Sequence, residues 1–194
     1  MAGKINDVQL MQLVEAAIFA ADKPLSKEDL QASVLEGLNV SQKRLSDTLA
    51  RLNQDYAGRG ICLTETASGY RFITRPELSD YLARLWPERS PRYSRAVLET
   101  LALIAYRQPI TRGEIEDIRG VSVSSQIMRT LIERNWVKVV GHKEVPGRPG
   151  LYATTKEFLD YFGLKHLNQL PPLPEFQALS TELADTVVTT GELH

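Results

Sequence analysis

Pro24-Leu25-Ser26-Lys27-Glu28-Asp29-Leu30 returns 85 residues later as Pro109-Ile110-Thr111-Arg112-Gly113-Glu114-Ile115, with chemical type kept at six of seven positions. A second stretch, Phe72-Ile73-Thr74-Arg75-Pro76-Glu77-Leu78-Ser79-Asp80-Tyr81-Leu82, returns at an offset of 80 as Tyr152-Ala153-Thr154-Thr155-Lys156-Glu157-Phe158-Leu159-Asp160-Tyr161-Phe162. Thr, Glu, Asp and Tyr recur in register. Two blocks in the same order, at offsets that differ by five residues, indicate one small unit present twice with loops of unequal length.

Each block has a mechanical meaning. Ser26 and Thr111 are preferred helix N-caps, with Asp29 and Glu114 three positions on to complete capping boxes. Pro24 and Pro109 close the preceding segments, 6–21 and 94–108, which carry apolar residues at helical spacing. In one these are Val8, Met11, Val14, Ala17, Ile18 and Ala21; in the other, Val97, Leu98, Leu101, Ile104 and Ala105. A third helix follows in each unit: Ser41 caps Leu45, Thr48, Leu49 and Leu52, and Ser122 or Ser124 caps Ile127, Met128, Leu131 and Ile132. Gly58, Gly60 and Asn135 suit the turns that follow, because both residue types tolerate positive φ. Strands are then expected over 61–66 and 70–73, across a tip at Ala67-Ser68-Gly69, and over 136–142 and 151–154, across a longer Pro/Gly-rich tip. In the second block, Thr74 to Glu77 and Thr154 to Glu157 read as capping boxes that start a short terminal helix. Three helices followed by a hairpin is the order of a winged helix-turn-helix. The expected fold is therefore mainly α with small β-hairpin wings, as two tandem winged helix-turn-helix domains.

The expected organisation is 1–87, 88–167 and a remainder, 168–194. The first boundary falls at Pro87-Glu88-Arg89-Ser90-Pro91. The last part begins with Leu170-Pro171-Pro172-Leu173-Pro174, which favours an extended arm, and continues as a polar acidic tail that reads as frayed. The chain has 194 residues, 43% of them apolar, and 23 basic against 24 acidic side chains, an ordinary globular composition without a global demand for an anionic partner. Charge is distributed unevenly: formal net charges are −1 for 1–87, +4 for 88–167 and −4 for 168–194. The apolar stretch 10–21 is interrupted by Gln12 and Glu15, and no segment approaches the roughly 20 apolar residues needed to span a bilayer. A lone Cys62 forms no internal disulfide and points to a reducing compartment, the cytoplasm.

A winged helix invites comparison with DNA readers, in which the third helix enters the major groove and the wing contacts phosphate. Only the second unit has a favourable charge. Its third helix offers Ser122, Ser124, Ser125, Gln126, Arg129 and Arg134, diluted by Glu133, so weak contact is expected before specific readout. The tip Lys143-Glu144-Val145-Pro146-Gly147-Arg148-Pro149-Gly150 lacks a phosphate-loop pattern, and its prolines remove amide donors. His142, His166 and His194 are too scattered to form a metal site with Cys62. No nucleophile, base and orienting group stand together, so neither catalytic residues nor a cofactor nor a metal is expected. Cys62 reads as a small apolar strand residue.

The run Leu98-Glu99-Thr100-Leu101-Ala102-Leu103-Ile104-Ala105-Tyr106-Arg107-Gln108-Pro109-Ile110-Thr111-Arg112, then Ile115-Glu116-Asp117-Ile118-Arg119-Gly120-Val121, resembles the signature of the bacterial segregation and condensation protein B family. Gly147 to Thr155, Phe158 to Leu164, and Leu170-Pro171-Pro172-Leu173 agree with the same family's wing, terminal helix and proline arm. The likeness covers about residues 5–175. It departs at Val121-Ser122-Val123-Ser124-Ser125, where the family often carries an Asn-Ser-Asp-like step into the third helix.

The resemblance implies a non-enzymatic subunit of a bacterial SMC-kleisin complex. It would homodimerise through its N-terminal domain, grip the middle segment of the kleisin (segregation and condensation protein A), and through it serve an SMC ATPase in chromosome condensation and segregation. The cell compartment implied is the cytoplasm at the nucleoid. The alternative class is a winged-helix DNA-binding transcription regulator. For dimerisation the near-neutral first unit offers Tyr70, Phe72, Tyr81, Leu85 and Trp86, residues that equally suit core packing. For kleisin contact the second unit offers Tyr93, Tyr106, Arg107 and Arg119, a mixture of aromatic and guanidinium groups of the kind enriched at binding hot spots.

Overall fold

The computed structural model describes residues 5–85 and 93–172. Helix α1 (Asp7–Ala20) starts at a capping box in which Asn6 accepts from the Gln9 amide at 2.8 Å and the Gln9 side chain accepts from the Asn6 amide at 3.3 Å. Its buried stripe is Leu10, Val14 and Ile18, spaced by four residues, with Met11, Leu13 and Ala17 packed at the margin. The expected stripe was rotated from this one. Val8 faces solvent, Leu10 takes the core position, and Phe19 stands 74% exposed. An apolar helix surface on nearly every side hides which stripe faces inward, and packing against the unit's third helix, Gln42–Asp55, makes the choice.

Helix α2 (Lys27–Ala32) carries the predicted box: the Asp29 amide donates to the Ser26 hydroxyl, and the Ser26 amide to the Asp29 carboxylate, both at 3.0 Å. Ser41 caps α3 (Gln42–Asp55), whose Leu45, Thr48, Leu49 and Leu52 are all buried as expected. Strands β1 (Ile61–Thr66) and β2 (Gly69–Thr74) pair antiparallel across a tip at Ala67 and Ser68. Leu25 exchanges two backbone hydrogen bonds with Tyr70, forming a rudimentary third strand. Gly69 is required at that crossing: its φ is +144°, and a Cβ there would lie 2.2 Å from the Leu25 carbonyl carbon. A 3₁₀ turn (Pro76–Leu78), α4 (Ser79–Leu82) and a second 3₁₀ turn (Ala83–Leu85) follow.

The second unit repeats the plan with α5 (Arg95–Arg107), β3 (Ile110–Thr111), α6 (Arg112–Arg119), α7 (Ser125–Glu133), β4 (Val137–His142), β5 (Gly150–Thr154) and α8 (Lys156–Tyr161), then a 3₁₀ turn at Leu167–Gln169. Thr111 and Glu114 form the second box, at 3.3 and 2.8 Å. Of the two serines considered, Ser124 caps α7. On α5, Thr100 takes a core place and Leu98 turns outward; on α7, Ile132 also turns outward. The sheet order is β3-β5-β4, and β3 pairs Ile110 with Tyr152 just as Leu25 pairs with Tyr70. Two residues are too few for a period, so this strand left no pattern to read.

Neither expected box at Thr74 or Thr154 forms. The first 3₁₀ turn has Arg75 at its cap position without a side-chain bond, and Pro76 begins it. Thr155, one residue later than expected, caps α8, while the Thr154 hydroxyl and amide both donate to the Gln108 side-chain oxygen. Asn135 has the expected positive φ, whereas the turn at Gly58 and Gly60 forms without one. Two hydrophobic cores result and share no residue. One gathers α1, α2, α3 and Leu63; the other gathers α5, Ile110, Ile115, Val123, α7, Trp136, Val137 and Phe158.

Candidate partner-binding surfaces

The face on which a winged helix would meet phosphate is, in the second unit, partly neutralised from within. Lys143 of the wing reaches back to Glu114 at 2.6 Å, Arg112 binds Glu116 at 3.0 Å, and Arg148 at the tip binds Glu144 at 3.2 Å. The Lys143 ammonium and the Thr111 hydrogen bonds hold the Glu114 carboxyl down at about 2. Glu116 is also lowered, first by the hydrogen bond from the Val123 amide and then by Arg112. Each of these carboxylates organises the fold as well as engaging a cation. On α7 itself Arg129 has no carboxylate within ion-pair distance among the described residues. With Arg134, stacked over the Tyr93 ring, and Lys138 on β4, which likewise stand in no ion pair among the described residues, this leaves three cations against the six or more phosphates that specific duplex binders neutralise.

The four residues chosen for kleisin contact do not form one patch. Tyr93 packs edge-on to Trp136, with ring centroids 5.1 Å apart, and lies under the Arg134 guanidinium. Tyr106 and Arg107 are at the other end of α5, about 20 Å away at 1.5 Å per residue. The Tyr106 hydroxyl donates to the Pro171 carbonyl and so holds the proline arm, whose Leu170 packs on the second core. Arg107 is exposed. Arg119 lies between the two ends with only 9% of its side chain exposed; it donates to Glu99 at 3.0 Å and to the Thr100 hydroxyl at 3.4 Å, and its Nε has no partner. Burial pushes the Glu99 carboxyl up, but hydrogen bonds from Arg95 and Arg119 outweigh it and leave the group below its usual range.

The dimerisation set divides in two. Phe72 stacks obliquely on Tyr56 at 4.7 Å and, with Tyr70, packs on the first core. Burial, with the Glu65 carboxylate opposite, pushes the Tyr70 hydroxyl up to about 12. Tyr81 and Leu85 are instead 67% and 65% exposed on the segment that ends the first unit, and Trp86 lies outside the described residues. Missing from the expected sets are Phe19 on α1, which lines a shallow cleft with Ile61, Arg71 and Ile73, and the exposed rings of Tyr161 and Phe162 against Trp136. Phe19 was readable as an apolar residue outside the stripe; the α8 rings resembled ordinary core positions.

Cys62 is half-buried on β1, with its Sγ 3.8 Å from the Thr64 hydroxyl. Among the described residues, no three His, Cys, Asp or Glu side chains stand close enough to hold a metal ion, and no helix is long and apolar enough to cross a membrane. His194 lies outside the described residues.

These surfaces define a class: paired winged-helix units with partly compensated phosphate-facing cations and exposed apolar residues beyond their cores. A family model for the segregation and condensation complex subunit ScpB matches residues 12–173, and the chain belongs to that family. It is 52% identical over 171 residues to the segregation and condensation protein B homolog of Coxiella burnetii, covering 88% of this chain and 82% of that one. Against segregation and condensation protein B of Syntrophotalea carbinolica it is 43% identical over 180 residues, covering 92% and 89%. A solved dimer of an ScpB N-terminal domain complexed with an ScpA peptide is 29% identical, with 44% of this chain and 92% of that one covered and a TM-score of 0.32.

Proposed function

We propose that this chain is a homodimeric, kleisin-binding subunit of a bacterial SMC-kleisin complex, acting in chromosome condensation and segregation without chemistry of its own. In this reading 1–87 dimerises, 88–167 holds the kleisin middle segment, and the dimer works in the cytoplasm at the nucleoid. The observation that carries it is the family match across both winged-helix units. Exposed Tyr81 and Leu85 support an apolar self-association surface, since such residues placed together outside a core mark interfaces. The pairing of Lys143 and Arg148 with carboxylates on the second wing favours a polypeptide partner over duplex DNA.

Light scattering and calorimetric titration with the kleisin middle segment test this reading. A dimer that takes up the segment stoichiometrically is expected, and Tyr81→Ser with Leu85→Ser is expected to give a folded monomer. A monomer that ignores the segment overturns the proposal. Sequence-dependent duplex binding with a steep salt slope would restore the transcription-regulator class.

A further inference from the structure

The tip of the first wing touches neither solvent alone nor its own core: it meets the end of α8 in the second unit. The Ala67 amide donates to the Leu164 carbonyl at 3.0 Å, the Ser68 amide donates to the Asp160 carboxylate at 3.0 Å, and Glu65 pairs with Lys165 at 2.7 Å. Both partners are shaped for the meeting. On the α8 side, Gly163 at φ +68° ends the helix, with Gly163 donating to Asp160 and Leu164 to Leu159, a closing motif that leaves the Leu164 carbonyl turned away from the helix. On the wing side, the two-residue tip presents successive amides, and buried Thr66 braces it by donating to the Gly69 carbonyl at 3.1 Å.

We infer that the first wing is a docking surface for this chain's own α8 end, a polar clasp that sets the orientation of the two winged-helix units. The hydrogen bonds and the ion pair named above are all polar, and the two hydrophobic cores share no residue. A joint of this composition is weaker than a core, so a ligand that engages both units needs only a modest preference for one orientation to reset it. The tip amides are also occupied. The first wing therefore does not serve as a phosphate-contacting wing while the clasp is closed.

The test places spin labels at exposed Arg51 and Arg129, each changed to Cys in a Cys62→Ser background. Labelled protein is diluted with unlabelled protein, so that only distances within one chain are read. The otherwise unchanged chain is expected to give one narrow distance distribution. Asp160→Ala with Lys165→Glu is expected to broaden it with both units still folded by circular dichroism, and Glu65→Lys with Lys165→Glu, which keeps Asp160 and reverses the ion pair, is expected to leave it narrow. A broad distribution in the starting protein, a narrow one in the Asp160→Ala, Lys165→Glu variant, or a broad one in the charge swap overturns the clasp. None of these outcomes depends on kleisin binding, so the clasp and the proposed function stand or fall separately.

Discussion

The two winged-helix units share a plan and differ in how their wings are anchored. In the first unit the hairpin is held by a single two-bond bridge from Leu25 to Tyr70, and its two-residue tip lies on the other unit. In the second, β3 extends the bridge into a third strand, the hairpin is longer, and Lys143 ties it to the α6 capping box. A short wing with one crossing places its whole register on one glycine. A long wing with a third strand spreads that demand over several contacts.

The largest expected effect follows directly. Gly69→Ala adds a Cβ 2.2 Å from the Leu25 carbonyl carbon at a φ that L residues rarely adopt. Strain of this kind costs on the order of 1–3 kcal/mol before any relaxation of the bridge, so the first unit is expected to lose about 3 kcal/mol. Gly150→Ala, at the start of β5, meets the Val139 side chain at 3.5 Å and the Tyr152 ring at 3.9 Å, both ordinary contacts. It is expected to cost about 1 kcal/mol or less, a modest surface-type change. Chemical denaturation in a Trp86→Phe background, followed by Cys62 thiol reactivity for the first unit and Trp136 fluorescence for the second, measures the two separately. Equal losses would show that the bridge is not the register-setting element.

The caps sharpen the comparison at a smaller scale. Ser26→Ala and Thr111→Ala each remove a hydroxyl that accepts from an N3 amide, which costs about 1 kcal/mol. Thr111 is 4% exposed and sits in the same hydrogen-bonded group as Glu114 and Lys143. Its loss is therefore expected to exceed that of Ser26, whose box ends at Asp29. The same two denaturation probes read the difference, and a larger loss for Ser26→Ala would show that the link to Lys143 adds nothing.

These caps also mark how far the chain could be read before folding. Repetition of Ser26/Asp29 as Thr111/Glu114 exposed the duplication, because a capping box is local and needs only four residues. The Thr74 and Thr154 boxes misled for the same reason: the motif was present, but Pro76 began the turn in one case, and in the other Gln108, 46 residues away, claimed Thr154. The binding residues were the least legible. Tyr70 and Tyr81 lie eleven positions apart in one chemical class, yet one packs on the core and the other is exposed, a distinction set by tertiary packing and absent from any local pattern.

The smallest expected effect is the pH dependence of each unit. Glu114 is held at about 2 by Lys143 and Thr111, below its ordinary 4.5, so the folded second unit favours the carboxylate. Its contribution is complete above the unfolded value near 4.5 and is lost as pH falls from there toward 2. Tyr70 runs the other way. Burial and the facing Glu65 raise it from 10 to about 12, so the folded first unit favours the neutral phenol. That contribution is complete below 10 and is lost as pH rises toward 12. Acid is thus expected to weaken the second unit through Glu114, and the first through Asp29, which the Ser26 hydrogen bonds also hold below its ordinary range; alkali is expected to weaken the first through Tyr70. In Glu114→Gln the acid limb read by Trp136 fluorescence, again with Trp86→Phe, should flatten, and in Tyr70→Phe the alkaline limb read by circular dichroism should do so. Because Glu114 sits on a half-exposed ion pair, solvent screening keeps its share below that of the caps. An acid limb unchanged in Glu114→Gln would place the pH sensitivity of the second unit in another carboxylate, with Glu99 between Arg95 and Arg119 the next to change.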